Sequence, residues 1–306
     1  MSKYDHLCGY VPDQRAKEEF LASQPVQFFS CAPGSGAGKR AAHWGYYKAL
    51  DPGAYTETQD GPDCTSHGSR NALDSTRACS IMSGRRLEGF HRRTATELIY
   101  GARGSAGAGM SPARASRFLR DVGYLARQKY PVIDLTEYNF AIGDAWGRAG
   151  GPPEKVKSLC GEHKVVTITL IRSMPDLFDA LFNGYGCHSG QSAAWSESPS
   201  GLYHPRASRP WGHDMNLAGY DATKEFWPYD VVFIANSWGG WNRPISDWPT
   251  YLPPPPPGMI VSRAEDAEVC VDSEDCWAFS DAVGYEPTLL PDAGTIGLLS
   301  HDGGVV

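Results

Sequence analysis

The sequence predicts an α+β protein with helices in its first half and strands after them. Three observations carry this. Capped amphipathic helix patterns recur up to residue 182. Two strand patterns follow at 213–220 and 229–236. Their order along the chain segregates the two kinds of element. The 306 residues suffice for one large domain or two small ones sharing a cleft, with 41% hydrophobic and 21% charged residues. The net charge of −7 argues against a nucleic-acid partner, which needs a positive field. Arginines between Arg85 and Arg127 read as solvated helix faces.

Taken in order, Asp13 is placed to cap a helix through Glu18, Phe20 and Leu21. The stretch 33–40 resembles a phosphate loop, but Pro33 stands where Gly is needed and Arg40 follows Lys39, so a surface loop is expected. Residues 64–80 form a helix candidate with Asp63 as N-cap, although its periodicity is weak. Ser111 caps the next helix. Pro112 sits in its first turn, Ala115, Phe118, Leu119 and Val122 recur on one face, and Gly123 closes it. Residues 165–171 read as a strand. Residues 173–182 read as a helix burying Leu177, Phe178, Leu181 and Phe182, ended by Gly184. The five prolines 253–257 must be extended and serve as a stiff surface connector. The acidic stretch 265–275 is expected to be solvated, and no internal repeat is present.

The opening MSKYDHLCGYVPDQ has no apolar run that could act as a signal peptide, and no window is long enough to span a membrane. A cytoplasmic location follows as the expectation. The eight cysteines, Cys8, Cys31, Cys64, Cys79, Cys160, Cys187, Cys270 and Cys276, are then read as free thiols. No CxxC or HxxxH spacing suggests a metal, and no cofactor is expected.

One constellation carries chemistry. A cysteine attacks as thiolate, and a helix N-terminus favours that charge. Cys64 follows the expected N-cap Asp63. His213 can act as the base and Asn236 can orient it. If the two late strands form a hairpin with Tyr220 opposite Tyr229, His213 and Asn236 are directly opposed and share a face. Gln59, five residues before Cys64 across a Gly61-Pro62 turn, can offer its amide to an oxyanion. Cys64 Sγ is expected within ion-pair reach of His213. His67, one helical turn past Cys64, is a rival base that nothing in the sequence orients. Cys187 and His188 are adjacent on one segment and would point to opposite faces.

These residues bring a family into view. Asn236-Ser237-Trp238-Gly239 resembles the Asn-Ser-Trp-Gly motif of papain-like cysteine peptidases. The run 212–220 resembles their histidine strand, and QDGPDC at 59–64 their glutamine-to-cysteine segment. Cys64 and His213 are 149 positions apart, a papain-type separation. Residues 107–123 resemble the glycine-rich segment and helix lining the substrate cleft, followed by Tyr130-Pro131. The resemblance covers about 59 to 240 in patches. It implies a helical half at about 59–135 and a β-rich, barrel-like half at about 136–306, with a cleft between them and residues 1–58 as an N-terminal extension. It makes Cys64 the nucleophile, His213 the general acid/base, Asn236 its orienter, Gln59 the oxyanion donor and Trp238 a shield over the Asn–His pair. Gly107, Gly109 and Met110 would line the cleft.

There are departures. Gly61 stands where the family has a second cysteine, and Thr65 where it has tryptophan. The segment's QxxxDCxSHG form is closer to papain-like proteins of bacteriophages and prophages. Residues 1–58 do not resemble an inhibitory propeptide. Two functions follow as expectations. One is a cysteine peptidase acting on protein or peptide, through a thioester. The other is a papain-fold virion component with phage structural partners. A thiol acyl-transferase on the same fold is a third.

Overall fold

The computed structural model describes residues 4–23, 31–86, 89–90, 92–206, 211–242, 245 and 247–282. The last two dozen residues of the expected β-rich half lie outside that set. A 3-10 turn (Asp5–Leu7) leads to α1 (Gln14–Ala22), β1 (Arg40–Ala42), α2 (His43–Leu50) and α3 (Cys64–Met82). Then come α4 (Thr96–Gly101), α5 (Pro112–Asp121), β2 (Lys129–Tyr130), β3 (Ile133–Asp134), α6 (Phe140–Arg148), α7 (Glu154–Lys157), β4 (Val165–Leu170) and α8 (Met174–Phe182). The strands β5 (Gly186–Gln191), β6 (Ala194–Glu197), β7 (Tyr203–Arg206), β8 (His213–Asp221), β9 (Val231–Ala235) and β10 (Met259–Arg263) follow. Short helices α9 (Ala264–Ala267) and α10 (Val269–Asp272) precede β11 (Cys276–Ala282).

The caps explain where several helices start. Asp13 accepts from Ala16 N–H at 2.9 Å, Ser111 from Arg114 N–H at 3.3 Å and Ser173 from Asp176 N–H at 3.2 Å. Gly123 (φ 112°) and Gly184 (φ 79°) take the backbone out of α5 and α8 in the region open to glycine. Asp63 holds the N-cap position of α3 without a side-chain cap bond. Its carboxylate is turned to Tyr138 Oη at 2.8 Å.

One nine-stranded sheet runs β4-β11-β5-β8-β9-β10-β7-β6, with β1 added to β8. Among the described strands of this sheet, only β10 and β7 pair in parallel. Residues 40–50 therefore belong to the body of the fold rather than to a separate extension, because β1 completes hydrogen bonding along β8. α3 lies across β8, β5 and β11, buried on all sides from Cys64 to Ile81. That encasement is why it lacks a clean apolar stripe.

Arg103 and Arg127 are buried, not on solvated faces. Arg127 meets Glu97 at 3.0 Å and shares Glu57 with Arg70, whose own contact is 2.8 Å. The two guanidiniums hold the Glu57 carboxyl down at about 2 against its burial. The glycine-rich loop has no room for phosphate. Its Gly34 and Gly36 N–H groups donate to the Asp179 carboxylate at 2.7 and 2.8 Å, so an internal anion fills the cradle. The polyproline run is tied down where Pro253 C=O accepts from Trp44 Nε1 at 3.2 Å and Trp248 Nε1 at 2.9 Å. Among the described residues no helix is long and apolar enough to cross a membrane.

Candidate active site

Cys64 is the first residue of α3, and its side chain is fully buried. Sγ accepts the Asp214 N–H at 3.4 Å. His213 opens β8 beside it. The His213 Nε2 and Asn236 Oδ1 stand 2.9 Å apart, and the Trp238 ring covers the imidazole with centroids 4.4 Å apart.

The hairpin register differs from the expected one. Tyr220 pairs with Val232 rather than Tyr229, because β9 begins at Val231 and an irregularity falls between Leu217 and Gly219. Asn216 pairs with Ala235, the last residue of β9. Asn236 thus reaches the ring from just beyond the strand end, not from a directly opposed ladder position.

Gln59 is engaged at both ends. Its Nε2 donates to Leu7 C=O and Gly61 C=O, each at 2.7 Å, and its Oε1 accepts from Ser237 Oγ. The Gln59 N–H donates to Ser237 C=O at 3.0 Å, so the Asn-Ser-Trp segment and the approach to α3 are laced together.

Residues 4–11, which carry no local pattern pointing to the cleft, lie along it. Gly9 C=O accepts from Met110 N–H at 2.8 Å, and Val11 N–H donates to Met110 C=O at 3.1 Å, a parallel bridge. On the other side Tyr10 N–H donates to Gly212 C=O at 2.8 Å. Tyr4 stacks on Trp238 at 5.0 Å with the rings 5° from parallel. The fit is close. A Cβ on Gly9 would stand 1.9 Å from Pro62 O, and one on Gly109 would stand 2.4 Å from Gly9 O. Gly109 and Met110 therefore pack against this segment. The Gly107 carbonyl accepts from Arg103 Nε at 3.0 Å. Thr65, in place of tryptophan, donates to Met110 C=O at 3.0 Å and ties the start of α3 to the cleft wall.

The segment dries the site, and burial sets its protonation. The Cys64 thiol is pushed far up by desolvation and further by the Asp214 carboxylate. His213 is pushed down to about 4 by desolvation, against the bond from Asn236. Burial thus opposes charge on both groups while the segment is seated. His213 Nδ1 makes no hydrogen bond. With a neutral ring, Nε2–H donates to Asn236 Oδ1 and leaves Nδ1 as the basic nitrogen.

His67 is occupied elsewhere. Its Nε2 is 3.4 Å from Asp63 and its Nδ1 3.3 Å from Arg70 Nη2. A second buried pair was not legible in the sequence: His188 Nδ1 meets Asp214 Oδ2 at 3.0 Å, behind Cys64. Cys187 points away from it into the core under β5. All eight cysteines are free thiols. Among the described residues no three metal-ligating side chains gather.

A helix ending at a cleft, faced by a sheet that carries a His–Asn pair, defines the papain-like fold. Solved structures agree. Xylellain, a cysteine protease from Xylella fastidiosa, matches with a TM-score of 0.54 at 15% identity, over 90% of this chain and 96% of its own. The proCathepsin B S9 of Trypanosoma congolense matches with a TM-score of 0.55 at 11% identity, over 92% of this chain and 89% of its own. At these identities the likeness is one of fold. No protein-family model and no curated protein matches the sequence.

Proposed function

We propose that the chain is a cysteine peptidase whose cleft is closed by its own residues 4–11. The carrying observation is the His213 Nε2 contact with Asn236 Oδ1 at 2.9 Å, set beside a helix-terminal cysteine. That contact fixes the tautomer that makes Nδ1 the base. When the cleft opens and water enters, the desolvation that holds both groups neutral is relieved. The Cys64 proton passes to His213 Nδ1 and the thiolate attacks the substrate carbonyl carbon. Gln59 Nε2 and the Cys64 N–H then face the oxyanion, the place the Leu7 carbonyl now takes. His213 protonates the leaving amine, and water hydrolyses the thioester.

The test uses Gly9→Val, which cannot seat against Pro62. It is expected to cleave unfolded protein substrates, and Gly9→Val with Cys64→Ala to cleave none. If Gly9→Val exposes Cys64 to alkylation yet hydrolyses nothing across a broad peptide library, the peptidase reading fails. A virion component would assemble normally with Cys64→Ala and stay hydrolytically silent in both forms.

A further inference from the structure

Three elements meet at Asp214, the residue after the proposed base. From β5, His188 Nδ1 lies 3.0 and 3.2 Å from its two carboxylate oxygens. From α3, Gly68 presses on the same group: a Cβ there would stand 2.2 Å from Asp214 Oδ1. The Asp214 N–H, in turn, donates to Cys64 Sγ at 3.4 Å. Asp214 thus links the nucleophile, through its main chain, to a buried imidazole, through its side chain. The sheet register gives the reach. Gly190 pairs with Asp214 and His188 with Asn216, so His188 shares a face with Asp214 and lies diagonally across from it. The bond is an exclusive one on both sides. His188 Nε2 has no hydrogen-bond partner, and among the described residues no other donor reaches the Asp214 carboxylate. Both side chains are fully buried.

We infer that His188 is a positioning residue for the nucleophile: by holding the Asp214 carboxylate from β5, it keeps the Asp214 N–H on Cys64 Sγ. The physical reason is the fate of the carboxylate without it. A buried charge left unpaired is driven toward water. Turning that side chain out rotates the Asp214 backbone, and the amide leaves the sulfur. A donated N–H favours the thiolate over the thiol, so its loss slows every reaction of Cys64. The unpaired carboxylate, one residue's breadth from the sulfur, opposes the thiolate as well. His188 therefore acts through Asp214 and touches no reacting atom itself. Its effect on turnover rests on the peptidase reading, but its hold on the sulfur does not.

The test measures Cys64 alkylation by iodoacetamide at pH 7 and peptide turnover, both in the full chain carrying Gly9→Val, with urea midpoints to establish that each variant folds. His188→Leu keeps bulk but no donor. It is expected to slow Cys64 alkylation about tenfold, the consequence of one pKa unit toward the thiol, and to lower kcat similarly at unchanged KM. His188→Asn, whose amide can donate from where Nδ1 stands, should keep most of the parent rate. Adding Asp214→Asn to His188→Leu should recover most of the loss, because a neutral amide is not driven to water. A pair that served only to stabilise the fold would instead lose more from the second core substitution. Gly68→Ala crowds the same carboxylate from α3 and should slow Cys64 with His188 intact, so it decides the matter if His188→Leu does not fold. Parent-like alkylation in a folded His188→Leu or in Gly68→Ala overturns the inference, as does a deeper loss in the double variant. If Gly9→Val hydrolyses nothing, the peptidase reading falls, and the alkylation rates alone still decide the role of His188.

Discussion

At His213, burial and orientation act in opposite senses. Desolvation lowers its pKa, the Asn236 bond raises it, and desolvation wins, leaving about 4. Orientation therefore serves geometry rather than charge in the closed state. In a cleft-opened background, Asn236→Ala should lower kcat with little change in KM. The loss should be smaller than the roughly 10²–10⁴ that a general acid–base group supplies, because the base remains. Gln59→Ala removes a donor aimed at developing charge and should cost about 10²–10³ in kcat. Steady-state kinetics on one peptide reads both, and a Gln59→Ala loss below that of Asn236→Ala would argue against the oxyanion role. Of the proposed site, Cys64, His213, Asn236 and Gln59 are marked in the sequence by motif and spacing. His188, Asp214 and Tyr4 are not. An adjacent His–Asp or aromatic contact made across the fold leaves no local pattern.

At the scale of elements, close approach decides what α3 can do. A Cβ on Gly186 in β5 would stand 1.8 Å from the Ala72 carbonyl oxygen of α3. Backbone cannot yield there as a flexible side chain could. Gly186→Ala should destabilise by about 1–3 kcal/mol, read as a lower urea midpoint at unchanged slope. An unchanged midpoint would mean that α3 does not rest on β5 as described. The plug is a second such contact. Gly9→Val should raise the rate of Cys64 alkylation by iodoacetamide at pH 7, measured by mass spectrometry, while the buried Cys79 in the last turn of α3 stays protected. The wild type should show no preferential Cys64 labelling at pH 6, since the closed cleft holds its thiol protonated. The register of β8 and β9 belongs to this scale too. Its irregularity at Ala218 could not be read from alternation, because every residue of β8 is buried and both faces look alike.

The whole molecule carries these local terms into a pH dependence of stability. His213 and His43 are each pushed down to about 4 by burial, from an ordinary value near 6.5. Their contribution is present above pH 6.5 and is lost as pH falls toward 4, because the unfolded chain takes up protons that the fold refuses. The scale is on the order of 3 kcal/mol each. Asp275 runs the other way. Burial raises it to about 6, so its contribution is complete below about 4 and lost as pH rises through 6. Glu57, held at about 2, keeps its contribution until pH drops below its ordinary 4.5. The net expectation is a falling urea midpoint between pH 7 and 4.5. His43→Asn should flatten that slope, since His43 lies outside the cleft with Nε2 at 2.7 Å from Leu181 C=O. A midpoint that holds steady across this range would contradict the two buried neutral histidines.

Sequence alone determined the helix starts at Asp13, Ser111 and Ser173, the α+β class, and which side chains a papain-like site would use. These depend on neighbours a few residues apart or on a short motif, where cap chemistry and apolar period are local. Tertiary structure decided the rest. It placed β1 along β8, turned Asp63 from its helix cap to Tyr138, filled the glycine-rich cradle with Asp179, and laid residues 4–11 between Met110 and Gly212. Each is a bond between groups distant in the chain, chosen because a buried donor or acceptor must find whatever partner the packed fold brings to it. The charge states of Cys64 and His213 fall in the same class, since desolvation belongs to the enclosing fold and not to the residue.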